Sequence, residues 1–214
     1  QTTVESRNFQ SRKSVLEYDD VMNKQREIIY AQRRQVLDGL DIKETVLNMM
    51  HTSVSNHVAL AFGENQHLDA AQYHEMLKGM EGIYFAKGAV EFSDEEIPSK
   101  TQEDFDEAFI AAAEKTYEAK EQEVTTPIMR ELERVIMLRV VDEYWMDHID
   151  AMDDLKQGVR LQGYGNNNPV DVYKRESLEM FEEMVSAIQD ETVRRLPDVR
   201  HKLPGGVPVN GGIL

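Results

Sequence analysis

Side chains along the first forty residues recur in steps of three and four. Val15, Tyr18, Met22, Gln25, Ile29 and Val36 fall on one face of a single long helix. Thr2 and Glu5 have capping-box spacing at its start, and Gly39 is a natural stop. A helix of roughly 35 residues is about 50 Å long, the length of a strut against which several other units can lean.

The pattern changes over residues 41–126. Asp41 and Glu44 repeat the cap spacing before Val46, Leu47, Met50, Val54 and Val58, and Gly63 closes that helix. A shorter helix after Asp69 carries Tyr73, Met76, Leu77 and Met80. The stretch Gly82 to Lys100 is irregular, with glycines, Phe92, an acidic cluster and Pro98. Thr101 then opens a helix through Phe105, Phe109, Ala112 and Tyr117. These residues read as a small helical subdomain inserted into a larger scaffold.

Thr126-Pro127 predicts the next long helix, with threonine as N-cap and proline at the tolerated first position. Its apolar face runs through Ile128, Leu132, Val135, Val141, Trp145, Ile149, Met152, Leu155 and Val159. The run from Gln162 to Asn168 breaks it, and Asn168-Pro169 caps a further helix with Tyr173, Leu178, Phe181, Val185 and Ile188. Two long helices joined by so short a loop fold back as an antiparallel hairpin. The expected fold is all-α: a long helix (1–40), an inserted helical subdomain (41–126), a two-helix hairpin (127–196) and a Pro/Gly-rich flexible tail (197–214).

Charge narrows the partners. With 40 acidic against 24 basic residues the formal net charge is -16, so nucleic acid, whose phosphates demand Lys and Arg, is not expected. The same repulsion opposes lying flat on an anionic membrane; protein partners fit best. Zero cysteines exclude disulfides, thiolate catalysis and cysteine-type zinc sites. No apolar run is long enough to span a bilayer. The start at Gln1, without an initiator Met, is read as a cut from a longer protein.

Candidate chemistry is sparse. Neither G-x-x-x-x-G-K-[ST] nor G-x-G-x-x-G occurs, and G-x-S-x-G and H-E-x-x-H are also lacking. His51, His57, His67, His74 and His148 are scattered, which reads as solvated or hydrogen-bonded histidine rather than a metal site. Glu17, Asp19 and Asp20 form an acidic cluster with Lys13, Lys24 and Arg26 nearby. That is the pattern of a charged helix surface making salt bridges to a neighbouring domain, not of catalytic carboxylates. Met146, Met152, Met180 and Met184 are read as core packing between the hairpin helices. Tyr164, between Gly163 and Gly165 at the hairpin tip, has two open readings: a projecting amphipathic ring, or a ring folded back over the hairpin.

Two blocks carry a family resemblance. Val4-Glu5-Ser6-Arg7-Asn8-Phe9, Arg12-Lys13, Leu16 through Asn23 and Gln25-Arg26 form the first. Trp145, His148, Ala151-Met152-Asp153, Leu155, Gln157-Gly158, Leu161, Gly163-Tyr164, Pro169, Tyr173-Lys174 and Glu176 form the second. Together they resemble SecA, the bacterial motor ATPase of preprotein export. The resemblance implies that 1–40 and 127–196 are helical scaffold and 41–126 helical wing. It implies a fragment without catalytic, cofactor or metal residues of its own, ATP and Mg belonging to motor domains elsewhere in the parent. Tyr164, Gly163 and Gly165 would form the tip of a two-helix finger that contacts the SecYEG channel and the unfolded preprotein. Glu17, Tyr18, Asp19, Asp20 and Arg26 would contact the nucleotide-binding and preprotein-crosslinking domains. The finger would also restrain ATP hydrolysis, and the protein would be cytoplasmic, peripheral at the inner face of the cell membrane through the channel. The alternative is a freestanding helical adaptor or chaperone-like peptide-binding module.

Overall fold

The computed structural model describes residues 2–39, 42–161 and 168–196. They form six α-helices: α1 Thr2–Leu37, α2 Lys43–Phe62, α3 Ala70–Met80, α4 Gln102–Val124, α5 Thr126–Leu161 and α6 Pro169–Arg195, with a 3-10 turn at Ile97–Ser99. Among the described residues no strand forms beyond one isolated bridge between Glu81 and Phe85, so the fold is all-α.

The helices divide into two compact units. One comprises Gln1–Ile42 with Arg134–Glu191; the other comprises Lys43–Glu133 with the chain from Thr192 onward. In the first, α1, α5 and α6 share a core of Tyr18, Met152, Val159, Val170 and Tyr173. The register follows from paired side chains. Asp19 meets Lys156, Gln25 meets His148 and Arg33 meets Asp142, so α1 and α5 run antiparallel. His148 against Phe181, with Val159 near Val170 in the same core, makes α5 and α6 antiparallel as well.

Of the predicted stripe of α1, Tyr18, Gln25, Ile29 and Val36 are buried, and Val15 and Met22 are half-buried. Two other stripes differ from expectation. Ile128 and Val135 on α5 and Leu178 on α6 are exposed, as is Met146, while Met152 and Met184 are buried. Next to Leu178 the small Ser177 is buried instead. Its carbonyl accepts a hydrogen bond from Gln25 Nε2 at 3.0 Å, so α1 lies against the Ser177 side of α6 and Leu178 turns away from it.

The second unit is organised by aromatic rings on α2, α3 and α4. Phe105 and Phe109 are fully buried and stacked 6.0 Å apart, with Phe62, Tyr73 and Phe85 around them. Asp69 and Thr101 close reciprocal capping boxes with Gln72 and Asp104, satisfying amides that a helix start otherwise leaves open. Gly82, at φ +80°, lets the chain reverse after α3 so that its amide donates to Phe85 O at 2.7 Å. The start of α5 departs from the expected cap. Thr126 is already helical, and the break falls at Thr125, held at φ 75° and ψ 148°.

Candidate functional site

The acidic cluster on α1 sits where the three helices of the first unit meet. Tyr18 is buried with its ring edge-on to Tyr173, centroids 4.7 Å apart at 77°, a favoured arrangement of aromatic quadrupoles. Burial, with Asp153 and Asp19 nearby, pushes the Tyr173 phenol up to about 12, so it stays neutral. On either side of this pair lie ion pairs. Lys174 Nζ donates to Glu17 Oε2 at 3.0 Å and Lys156 Nζ to Asp19 Oδ1 at 3.0 Å. The Lys174 hydrogen bond holds the Glu17 carboxyl below its ordinary value. Lys156 also lies 5.8 Å above the Tyr18 ring. The local counter-charges expected from sequence play a smaller part: Lys13 reaches Glu17 only at 4.0 Å, and Arg26 donates to Asn23 Oδ1 at 3.3 Å.

About two turns further along α1 is a buried polar layer. Gln25 Nε2 must face the Ser177 carbonyl, which can only accept, so Gln25 Oε1 faces His148 Nε2 at 2.9 Å and accepts a hydrogen bond from its N–H. This selects the Nε2–H tautomer. Burial lowers the His148 pKa, which favours the neutral ring. Trp145 stacks at a tilt on His148, centroids 5.7 Å apart, and meets Tyr30 at 6.5 Å.

The five sequence-selected residues of α1 therefore separate. Tyr18 is core, Glu17 and Asp19 tie α1 to α6 and α5, and Asp20 and Arg26 point to solvent. Tyr164, Gly163 and Gly165 lie outside the described residues. Sequence reasoning missed a second patch. Exposed Tyr30, Leu37 and Met146 surround the two-point pair of Arg33 with Asp142, 2.9 and 3.1 Å. Its signal was present: Tyr30 and Leu37 are one heptad apart, a second apolar stripe beside Ile29 and Val36.

Among the described residues no three His, Asp or Glu side chains converge to hold a metal, and no helix is long and apolar enough to cross a membrane. The class these features define is an all-α module whose charged residues brace helices against one another. The SecA Wing and Scaffold domain family matches residues 1–200. Similar relatives are the protein translocase subunit SecA of Acetivibrio thermocellus, 50% identical over 91% of this chain and 21% of its own length, and that of Pelotomaculum thermopropionicum, 44% identical over 91% and 22%. The protein translocase subunit SecA 1 of Alkaliphilus metalliredigens is 43% identical over 93% of this chain and 22% of its own length. The chain belongs to the SecA wing and scaffold family. It spans about a fifth of the length of these relatives.

Proposed function

We propose that this chain is the mechanical scaffold and wing of a SecA-type protein translocase, without catalysis of its own. On this reading α1, α5 and α6 are the scaffold and the unit built on Lys43–Glu133 is the wing. ATP and Mg would be handled by nucleotide-binding domains elsewhere in the parent protein. The α5–α6 hairpin would be the finger, with Tyr164 at its tip between Gly163 and Gly165. It would contact the SecYEG channel at the membrane and the unfolded preprotein. A ring that is apolar yet able to hydrogen-bond can engage polypeptide of any sequence. Exposed Asp20 and Arg26, with the Tyr30–Leu37–Met146 patch, are the residues of the scaffold that would meet the motor and preprotein-crosslinking domains, and through them the finger would restrain ATP hydrolysis.

The observation that supports this most is the Tyr18–Tyr173 contact with its flanking Glu17–Lys174 and Asp19–Lys156 pairs. Through it α1 grips both hairpin helices at once, so a displacement imposed on α1 is passed to the hairpin instead of being absorbed between helices. Close-packed interiors transmit such displacements because they deform little. The test is Tyr18→Ala in the full-length parent. Transport should fall while ATP hydrolysis persists; parallel loss of both, or retention of both with the fold intact, contradicts the coupling role.

A further inference from the structure

Among the described residues Thr125 is the single non-glycine residue at positive φ, with φ 75° and ψ 148°. It joins α4, which ends at Val124, to α5, which starts at Thr126. A β-branched residue keeps such a backbone only where the contacts around it hold it there.

Those contacts converge on Glu121, one turn earlier on α4. Its Oε2 accepts from Lys43 Nζ at 2.7 Å, and its Oε1 from Arg130 Nη2 at 2.9 Å. The Lys43 hydrogen bond, helped by Arg130 and the Thr126 hydroxyl, holds the Glu121 carboxyl below its ordinary value. The same two cations stand 5.5 and 5.9 Å from the centre of the Tyr117 ring. Lys43 opens α2 and Arg130 lies in the second turn of α5. One carboxylate therefore ties together both ends of the stretch 43–124, which is joined covalently to the rest of the chain at that one place. Beside this clasp lies a recess of about 600 Å3 lined by Lys43, Glu118, Glu121, Gln122, Thr125 and Thr126. It lets the corner change shape without displacing close-packed core.

We propose that the α4–α5 corner is a latched hinge: the Glu121 clasp holds it shut against the strain at Thr125, and release of the clasp lets α2, α3 and α4 swing away from the start of α5. Strain held at one residue by a few polar contacts is the arrangement of a two-state element. The hinge lies wholly within the α2–α4 unit and the first turns of α5, and it stands or falls separately from the α1–α5–α6 coupling.

The lack of cysteine makes the test direct. Nitroxides are placed on Leu60→Cys and Ile128→Cys, both exposed, in the 214-residue chain, and the distance between them is measured by pulsed electron resonance. Leu60 lies about 26 Å along α2 from Lys43, so a small change of angle at the corner moves it measurably. The parent should give a single distance. Glu121→Gln removes the charge that holds Lys43 and Arg130, and a second, longer distance should then appear, holding at least about a tenth of the population. Adding Thr125→Gly removes the strain that drives opening and should lower the open-to-closed ratio about fivefold. A single unchanged distance in Glu121→Gln overturns the proposal, and so does a ratio that Thr125→Gly leaves as it was or raises. A second label pair, Asn48→Cys with Glu107→Cys at exposed positions of α2 and α4, reports the fold itself. Its distance should be the same in every variant; a change there assigns the effect to loss of structure and overturns the hinge.

Discussion

Tyr18 and Tyr173 meet edge to face at 4.7 Å, although 155 positions of sequence separate them. The contact joins the first long helix to the last one, and it is the centre of the three-helix unit. Replacing Tyr18 with Ala removes a buried ring and leaves a cavity, at a cost of about 3–5 kcal/mol. Urea denaturation followed by the fluorescence of Trp145, the chain's single tryptophan, should register the loss. A change below about 1 kcal/mol would mean that the three helices are held together elsewhere.

His148 should make the same unit sensitive to acid. Its folded pKa is depressed by burial, while an unfolded histidine titrates near about 6.5. Between these two values the unfolded chain binds the proton and the folded one does not, so stability rises with pH. The contribution is fully present above about pH 6.5 and is lost as pH falls below it toward the folded pKa. Carboxylates also titrate in acid, so the comparison is between the parent chain and His148→Gln. The parent should lose more stability between pH 7.5 and 5.5. Equal losses would show that His148 takes up a proton without opposition.

In the second unit Glu133 is fully buried; it accepts a hydrogen bond from Tyr117 and pairs with Arg130 at 3.1 Å. Arg130 also reaches Glu121 at 2.9 Å. Glu133→Ala leaves the Tyr117 hydroxyl without its acceptor and takes one of two carboxylates from Arg130, which keeps Glu121, and should destabilise the unit by about 1–3 kcal/mol. Glu133→Gln keeps an acceptor for Tyr117 and should cost less. Thermal unfolding by circular dichroism orders the two variants; equal melting temperatures would contradict the assignment.

Thr125 offers a gain. A β-branched residue at φ 75° and ψ 148° occupies backbone space that essentially only glycine tolerates. Thr125→Gly should raise stability by about 1 kcal/mol, read as an increase in the urea midpoint. A decrease would show that the threonine side chain contributes more than its backbone costs.

Much of the fold was legible in the sequence because it is written in local rules. The three-four stripe on α1, the caps at Asp69 and Thr101 and the stop at Gly63 each depend on neighbours within one or two turns. What was not legible depends on distant partners. Lys156 and Lys174 take the charges of Asp19 and Glu17 from 137 and 157 positions away, and no local pattern announces that. Leu178 looked like core and Ser177 did not. Their roles reverse because Gln25 brings α1 against the Ser177 carbonyl. In sequence the cluster reads as a charged surface for a neighbouring domain, yet Glu17 and Asp19 are paired within their own unit. That leaves Asp20 and Arg26 outward and moves attention to Tyr30, Leu37 and Met146.

The most direct measurement places a photo-crosslinking residue at Tyr164 of the full-length parent, stalled during translocation. Adducts to both the channel and the moving preprotein are the predicted result. Transport that continues while the probe labels neither one would contradict the account of the α5–α6 hairpin as a substrate-contacting finger.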